Sequence, residues 1–311
     1  MGSSASDRKL AEAVAWSSAV SLDRVSLAAS MLWFAADVGI GRLRGSSCPN
    51  CDAAPGRSSR LYAGRFHAFS VYRCHECAVL YRPVGIRGKW LDLYYSRLYA
   101  NADLATDLER AGDPAGISAR MAAEGKHRVA LVEGVLGERA SPPSLCIVGC
   151  SWGYELLPFR ERGYDVFGIE VGSVRREHGK RKLGLSIYAT PEEAAAERGR
   201  VDVALSSHML EHVPRVTDLV KAITYRLAPS VQVHITPYVD SVETDPSLAR
   251  IIGREHPLGI TAEFWRRFAA NNGQHLDCRV DAYEPGRACG ELVAVLRAPT
   301  APPRPPITRA A

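Results

Sequence analysis

From Ser144 onward, short and nearly continuous apolar runs alternate with stretches of helical periodicity. SLCIVG, DVFGIE, LSIYA, VDVALSS and VQVHIT read as strands, and helical stretches fall near 154–162, 172–183, 191–198 and 216–227. A strand that is apolar at every position has no side to give to water. The alternation therefore predicts an α/β architecture, a parallel sheet covered by helices on both faces. After Pro237 come a loop, a helix near 261–272 and two further strands, HLDCRVDAY and ELVAVLRA.

The preceding half is organised differently. Residues 1–47 are amphipathic and helical in pattern and carry no chemistry, which suggests a packing arm. Residues 48–89 hold paired cysteines, and residues 90–140 are again helical, a connector or lid. The expected organisation is thus an arm over 1–47, a metal module over 48–89, a connector over 90–140, the α/β domain over 141–298 and a tail over 299–311. The tail, PTAPPRPPITRAA, has no apolar periodicity and is expected to be disordered. A formal charge of +5 over 311 residues is too weak to argue for a nucleic-acid partner. No apolar run reaches the ~18 residues of a membrane span. With no signal-peptide pattern at the start, a cytoplasmic location is expected.

Cys48-Pro-Asn-Cys51 and Cys74-His-Glu-Cys77 are two C-x2-C knuckles separated by 22 residues. Each can set two thiolates on one side of a tight turn, and two knuckles complete the S4 tetrahedron of structural zinc. Four thiolates leave no position for water, so this metal would hold structure and not catalyse. A β-hairpin would span the gap, and His75 would sit outside the ligand set. Cys146, Cys150, Cys278 and Cys289 read as small core residues.

Gly149-Cys150-Ser151-Trp152-Gly153 lies between an apolar strand and a helix, and Glu170 follows Gly149 by 21 residues. A carboxylate at that distance caps the next strand, where it can accept both hydroxyls of a ribose, and the glycines let backbone approach a ligand closely. The stretch lacks the G-x-G-x-x-G spacing of a dinucleotide fingerprint. It resembles the first motif of class I S-adenosylmethionine-dependent methyltransferases, V-L-D-V-G-C-G-x-G, which Gly149, Cys150 and Gly153 match, with Glu170 at the ribose-binding acid. Ile147 stands where that family often has an acid, and Ser151 where it has a glycine. The resemblance implies a seven-stranded, mostly parallel, Rossmann-like methyltransferase sheet.

VDVALSS runs into His208-Met209-Leu210-Glu211-His212, placing three polar groups beyond the carboxyl end of a parallel strand. They fit a general base that takes a proton from an acceptor, a divalent metal site, or a capped turn with satisfied histidines. The segment resembles the Glu-His-Val of methyltransferases acting on nucleotide-linked sugars, where the pair is linked to proton abstraction. It also resembles the E-x-x-E-H of the ubiquinone O-methyltransferases, linked there to a metal. CHECAVLYRPVGIRGKWLDLYYSRLY is similar to the second zinc knuckle and Y-Y-x-x-x-Y element of sugar and secondary-metabolite methyltransferases, which implies that Tyr94, Tyr95 and Tyr99 close over the cofactor; helical packing is the equal alternative. His234 is expected to line the cofactor side of the pocket, His256 to face an acceptor, and Thr261 to cap a helix.

Together these imply an enzyme of secondary metabolism that transfers a methyl group from S-adenosylmethionine to a small polar acceptor, a sugar or natural-product precursor. Gly149, Cys150, Ser151, Gly153, Glu170 and Tyr99 would hold the cofactor, and His212, Glu211 and His208 would deprotonate or orient the acceptor. Zinc would sit on Cys48, Cys51, Cys74 and Cys77. Two rivals stand beside this. One is an RNA methyltransferase gripping its substrate through Arg42, Arg44, Arg57, Arg60, Arg65, Arg73 and Arg82. The other is a non-catalytic scaffold, motivated by Ile147 and Ser151.

Overall fold

The computed structural model describes residues 47–63, 70–82, 114–139, 141–253, 256–281 and 290–298, with single positions 32 and 36. Nearly all of the expected arm, the connector up to residue 113 and the tail lie outside these residues, as do Tyr94, Tyr95, Tyr99 and Cys289.

The strands are β1 (Ser58–Tyr62), β2 (Val71–Cys74), β3 (Leu80–Tyr81), β4 (Ser144–Val148), β5 (Asp165–Ile169), β6 (Ser186–Tyr188), β7 (Val203–Ser207), β8 (Val231–Pro237), β9 (Leu258–Gly259), β10 (His275–Asp281) and β11 (Glu291–Arg297). The helices are α1 (Pro114–Leu136), α2 (Leu156–Glu161), α3 (Ser173–Leu183), α4 (Pro191–Arg198), α5 (Val216–Ala222) and α6 (Ala262–Asn271). A π-turn, Ile223–Leu227, extends α5.

Seven strands form one sheet in the order β10-β11-β8-β7-β4-β5-β6. The five from β6 to β8 pair in parallel, and β11 runs antiparallel to both β8 and β10. This is the mostly parallel α/β sheet that the sequence predicts. Its topology is doubly wound, because successive strands step outward from β4 first to one side and then to the other.

Both faces are dry, for the reason the apolar runs give. Leu145 and Ile147 of β4 meet Val129 and Val132 of α1 and Phe159 of α2 on one face. Their neighbours Cys146 and Val148 meet Ala194 of α4 and Ile223 and Leu227 beyond α5 on the other. Each such side chain contributes about 1.5–3 kcal/mol by leaving water. Ile147 is therefore a core residue, and the resemblance's acid has no counterpart there.

A second sheet, β1-β2-β3-β9, carries the cysteine knuckles. The expected hairpin is present: β1 and β2 pair antiparallel between the knuckles. The fourth strand, however, comes from the far side of the chain. Leu80 pairs with Gly259 and Tyr81 with Leu258, so this sheet crosses the boundary expected at residue 89. Cys48, Cys74, Val79 and Tyr81 share one apolar cluster with Val216 and Val220 of α5 and Phe264, Trp265 and Phe268 of α6.

Candidate active site and cysteine cluster

The cysteine knuckles bring all four sulfurs together. Cys48 Sγ lies 3.6 Å from Cys77 Sγ, and Cys51 Sγ lies 3.6 Å from Cys74 Sγ. Tetrahedral zinc–thiolate bonds of ~2.3 Å place sulfurs about 3.8 Å apart, so the donor set fits that ion. Both turns close alike: the amide of Asp52 donates to Cys48 O and that of Ala78 to Cys74 O. Asp52 and Ala78 are left-handed, at φ +60° and +63°. His75 is exposed and outside the set.

The glycine turn caps β4. Gly149 and Cys150 donate their amides to Ile169 O, locking the turn to β5. Gly149 has φ +78° and no room for a side chain, since a Cβ there would stand 2.2 Å from Met209 Cγ. Gly153, at φ +90°, is pressed by Leu185. Cys150 is buried with its sulfur under Gly168. Glu170 follows β5 and is 5% exposed. Its Oε2 accepts the amide of Ser151 at 3.0 Å and its Oε1 that of Gly172 at 2.7 Å. Burial raises its pKa, against the pull of those two amides. Each oxygen retains a lone pair beyond these bonds, and Val171 beside it exposes its apolar side chain.

Ser151 is left-handed, at φ +50°. Arg175 of α3, buried and lying over the Trp152 ring, donates from a guanidinium nitrogen to Ser151 Oγ at 2.9 Å. The sequence reading missed Arg175; a cation one turn into the helix after Glu170 was the available signal.

Beyond β7, Glu211 and His212 gather with His256, while His208 turns to Glu291. The turn Leu210–His212 buries Glu211 at 2% exposure. Burial would push its carboxyl up, but His208, His212 and His256 hold it down to about 2. The His212 and His256 rings meet edge to face with centroids 4.5 Å apart. His208 Nε2 reaches Glu291 Oε1 at 2.6 Å, while its Nδ1 stands 3.5 Å from Glu211 Oε1. Glu291 in turn is gripped by Arg128 of α1 through two bonds of 2.7 and 2.6 Å, both side chains being buried. Burial would raise the carboxyl of Glu291, and its bonds from His208 and Arg128 hold it at about 2. Neither Arg128 nor Glu291 was visible as a site residue. Each is one of several charges in its stretch, KHRVALVEGVL and ELVAVLRA, and no spacing singles it out.

His234 is buried. It is 1% exposed, accepts from or donates to Ser206 Oγ through Nδ1 at 2.8 Å, and stacks on Trp265 at 4.9 Å. It sits in the core, because even-numbered positions of β8 face α6. Thr261 does cap α6, accepting the amide of Phe264 at 3.0 Å.

The two loops share one rim. Glycine turn and histidine segment follow adjacent parallel strands, β4 and β7, and Gly149 abuts Met209. A family model described as a methyltransferase domain matches residues 118–283, more than half of the chain. The chain belongs to that methyltransferase-domain family. Within it, a curated relative named ubiquinone biosynthesis O-methyltransferase, from Acinetobacter baylyi, is 31% identical over 121 residues, covering 36% of this chain and 49% of its own length. Another of that name, from Hahella chejuensis, is 30% identical over 148 residues, covering 43% and 60%. The chain thus spans about half the length of the first curated relatives it matches. A methyltransferase structure from Archaeoglobus fulgidus aligns over 57% of this chain and 94% of its own at 13% identity and a TM-score of 0.45, too slight a likeness to support an argument. Within this methyltransferase domain, β4 to β8 carry both loops on their carboxyl ends, and among the described residues no helix is long and apolar enough to cross a membrane.

Proposed function

We propose that the protein transfers a methyl group from S-adenosylmethionine to a small polar acceptor. The observation that carries this is the shared rim: the glycine turn and Glu170 on one side of Gly149, and the His208–His212 segment packed against its other side. The cofactor supplies a methyl group bonded to a sulfonium, already activated for attack. The residues present fit it. Glu170 offers carboxylate lone pairs to the two ribose hydroxyls, Val171 an apolar surface to a base, and Arg175 keeps the Ser151 hydroxyl out of the passage. The positive end of the short helix beyond Gly153 adds little, so Glu170 is the main polar contact.

Across Gly149, the cluster of Glu211, His212 and His208 holds or orients the acceptor and handles the proton it must lose, and the shared rim supplies proximity. The relatives' names specify O-methylation, which makes a hydroxyl the first acceptor atom to test. The resemblance to sugar and secondary-metabolite enzymes makes nucleotide-sugars and hydroxylated natural-product precursors the first compounds. Zinc on Cys48, Cys51, Cys74 and Cys77 is proposed as structural. The RNA reading loses ground at its arginines: Arg57 pairs with Glu76, Arg73 with Glu243, and Arg82 is buried, donating to Ala249 O and Ile252 O. Arg42, Arg44 and Arg65 lie outside the described residues. The scaffold reading loses its argument from Ser151, whose hydroxyl is held by Arg175.

Calorimetric titration with S-adenosylmethionine tests the proposal. Micromolar binding is expected for the intact protein. Glu170→Ala, losing two charge-assisted hydrogen bonds worth roughly 1.5–3 kcal/mol each, should weaken it at least about tenfold. No binding to the intact, folded protein would return the scaffold reading to the front.

A further inference from the structure

We propose that β10 (His275–Asp281) is a self-association surface, and that its occupant is the same strand of a second copy of this chain, paired antiparallel. β10 ends the seven-stranded sheet, and among the described residues it pairs only with β11. Its outer edge therefore offers a row of backbone amides and carbonyls along seven residues. An open edge of that length is a template for another strand.

The side chains decide which strand fits. The sequence of β10, HLDCRVD, is complementary to itself read in the opposite direction. Two identical antiparallel strands are related by a two-fold axis perpendicular to the sheet. Each residue then meets one on the same face, and every contact occurs twice. With the axis at Cys278, Asp277 stands opposite Arg279 of the second copy, Leu276 opposite Val280, and His275 opposite Asp281. Moving the axis by one residue destroys the match. Centred on Asp277, it sets two aspartates together and His275 against Arg279. Centred on Arg279, it sets two guanidinium groups together and Asp277 against Asp281.

The exposure of these residues supports the same register. Leu276 and Cys278 pack against the apolar cluster that includes α6, whereas Val280, on their face of the strand, is 51% exposed. Leu276 of the second copy would cover it. On the opposite face the side chains of Asp277 and Arg279 are exposed, and Arg279 holds Asp281 at 3.0 Å, so the charges already stand in line along the edge. Charged side chains commonly guard an edge strand against pairing. A guard against a second copy sets like charge opposite like charge; here every charged position finds its opposite, so the pattern selects a copy. A ladder of seven residues buries far less than the roughly 1,600 Å² of a standard interface, so the dimer is weak and reversible, in the micromolar range. The two-fold axis points the carboxyl ends of the parallel strands in opposite directions in the two copies. Neither copy reaches the other's rim, and the inference does not depend on the methyl-transfer reading.

Sedimentation velocity of the purified full chain, zinc-loaded and under reducing conditions that exclude cross-linking, should show a reversible monomer–dimer equilibrium across the micromolar range. Arg279→Asp and Asp277→Arg each set like charges opposite one another at two symmetric contacts, and each should weaken the dimer at least about tenfold. Both side chains are exposed, so both variants should stay folded, as a thermal melt would verify. The edges of the two variants complement each other, so an equimolar mixture should dimerise again, as should a chain carrying both replacements. A parent chain that stays monomeric across that range would overturn the inference. So would a dimer that neither single replacement weakens, or one that both weaken but that neither the mixture nor the double variant restores.

Discussion

At the scale of the residue, a buried histidine ties stability to pH. His234 shares a hydrogen bond with Ser206 through Nδ1, faces Gln232 Oε1 across 3.3 Å with Nε2, and stacks on Trp265, a setting with no anion to welcome a proton. Burial pushes its pKa down to about 3. Between that value and the ordinary 6.5, the unfolded chain binds a proton that the folded chain refuses. Stability therefore rises with pH across this window and falls on acidification, by about 1.4 kcal/mol per unit between pH 6 and pH 4. Glu211 and Glu291, held near 2, keep their contribution until the pH falls below the ordinary carboxylate range. Denaturant unfolding at pH 6 and pH 5 should show His234→Gln losing about 1.4 kcal/mol less than the parent. Equal losses would mean that the ring is already charged in the fold.

At the scale of the element, the end of α5 contains strain that can be relieved. The π-turn Ile223–Leu227 stops at Ala228, which is left-handed at φ +43° and ψ +53°. A side chain there costs roughly 1–2 kcal/mol, while glycine's extra freedom in the unfolded chain costs about 0.5–1. Relief outweighs entropy, so Ala228→Gly should stabilise the protein by about 0.5–1 kcal/mol, read as a higher denaturant midpoint at constant slope. The long elements were legible because their periodicity runs over several turns or a full strand. β9 was not, since two residues, Leu258 and Gly259, show no period; they form a strand only because β3 presents a free edge to them.

At the scale of the whole molecule, the cysteine module holds the histidine cluster in place. Asn50, between the first two cysteines, accepts the amide of Thr217 at 2.9 Å and so caps α5, four residues beyond His212. β3 pairs with β9, two residues beyond His256. Ala78 O, just past the last cysteine, accepts the Thr261 hydroxyl at 2.9 Å. The segments bearing His212 and His256 are both fastened to the module, whereas Glu170 stands on the far side of β4. Cys74→Ser should therefore lose zinc and lower the melting temperature, while leaving S-adenosylmethionine affinity nearly unchanged. Full zinc retention would defeat the cysteine assignment, and an unchanged melting temperature would defeat the positioning role.

The sequence by itself determined what depends on local repetition. Apolar runs of strand length between helical stretches specify a two-sided sheet, C-x2-C spacing a thiolate turn, and a carboxylate one strand after a glycine turn a ribose-sized reach. Tertiary structure alone decided which distant charges meet. Glu291 contacts His208 across 83 positions and Arg128 across 163, and His256 reaches His212 only because β9 found the edge of β3. One charge among several in a stretch has no periodicity that announces its distant partner. Its partner is selected when strand register and crossover put two desolvated charges side by side, where leaving either unpaired would cost several kcal/mol.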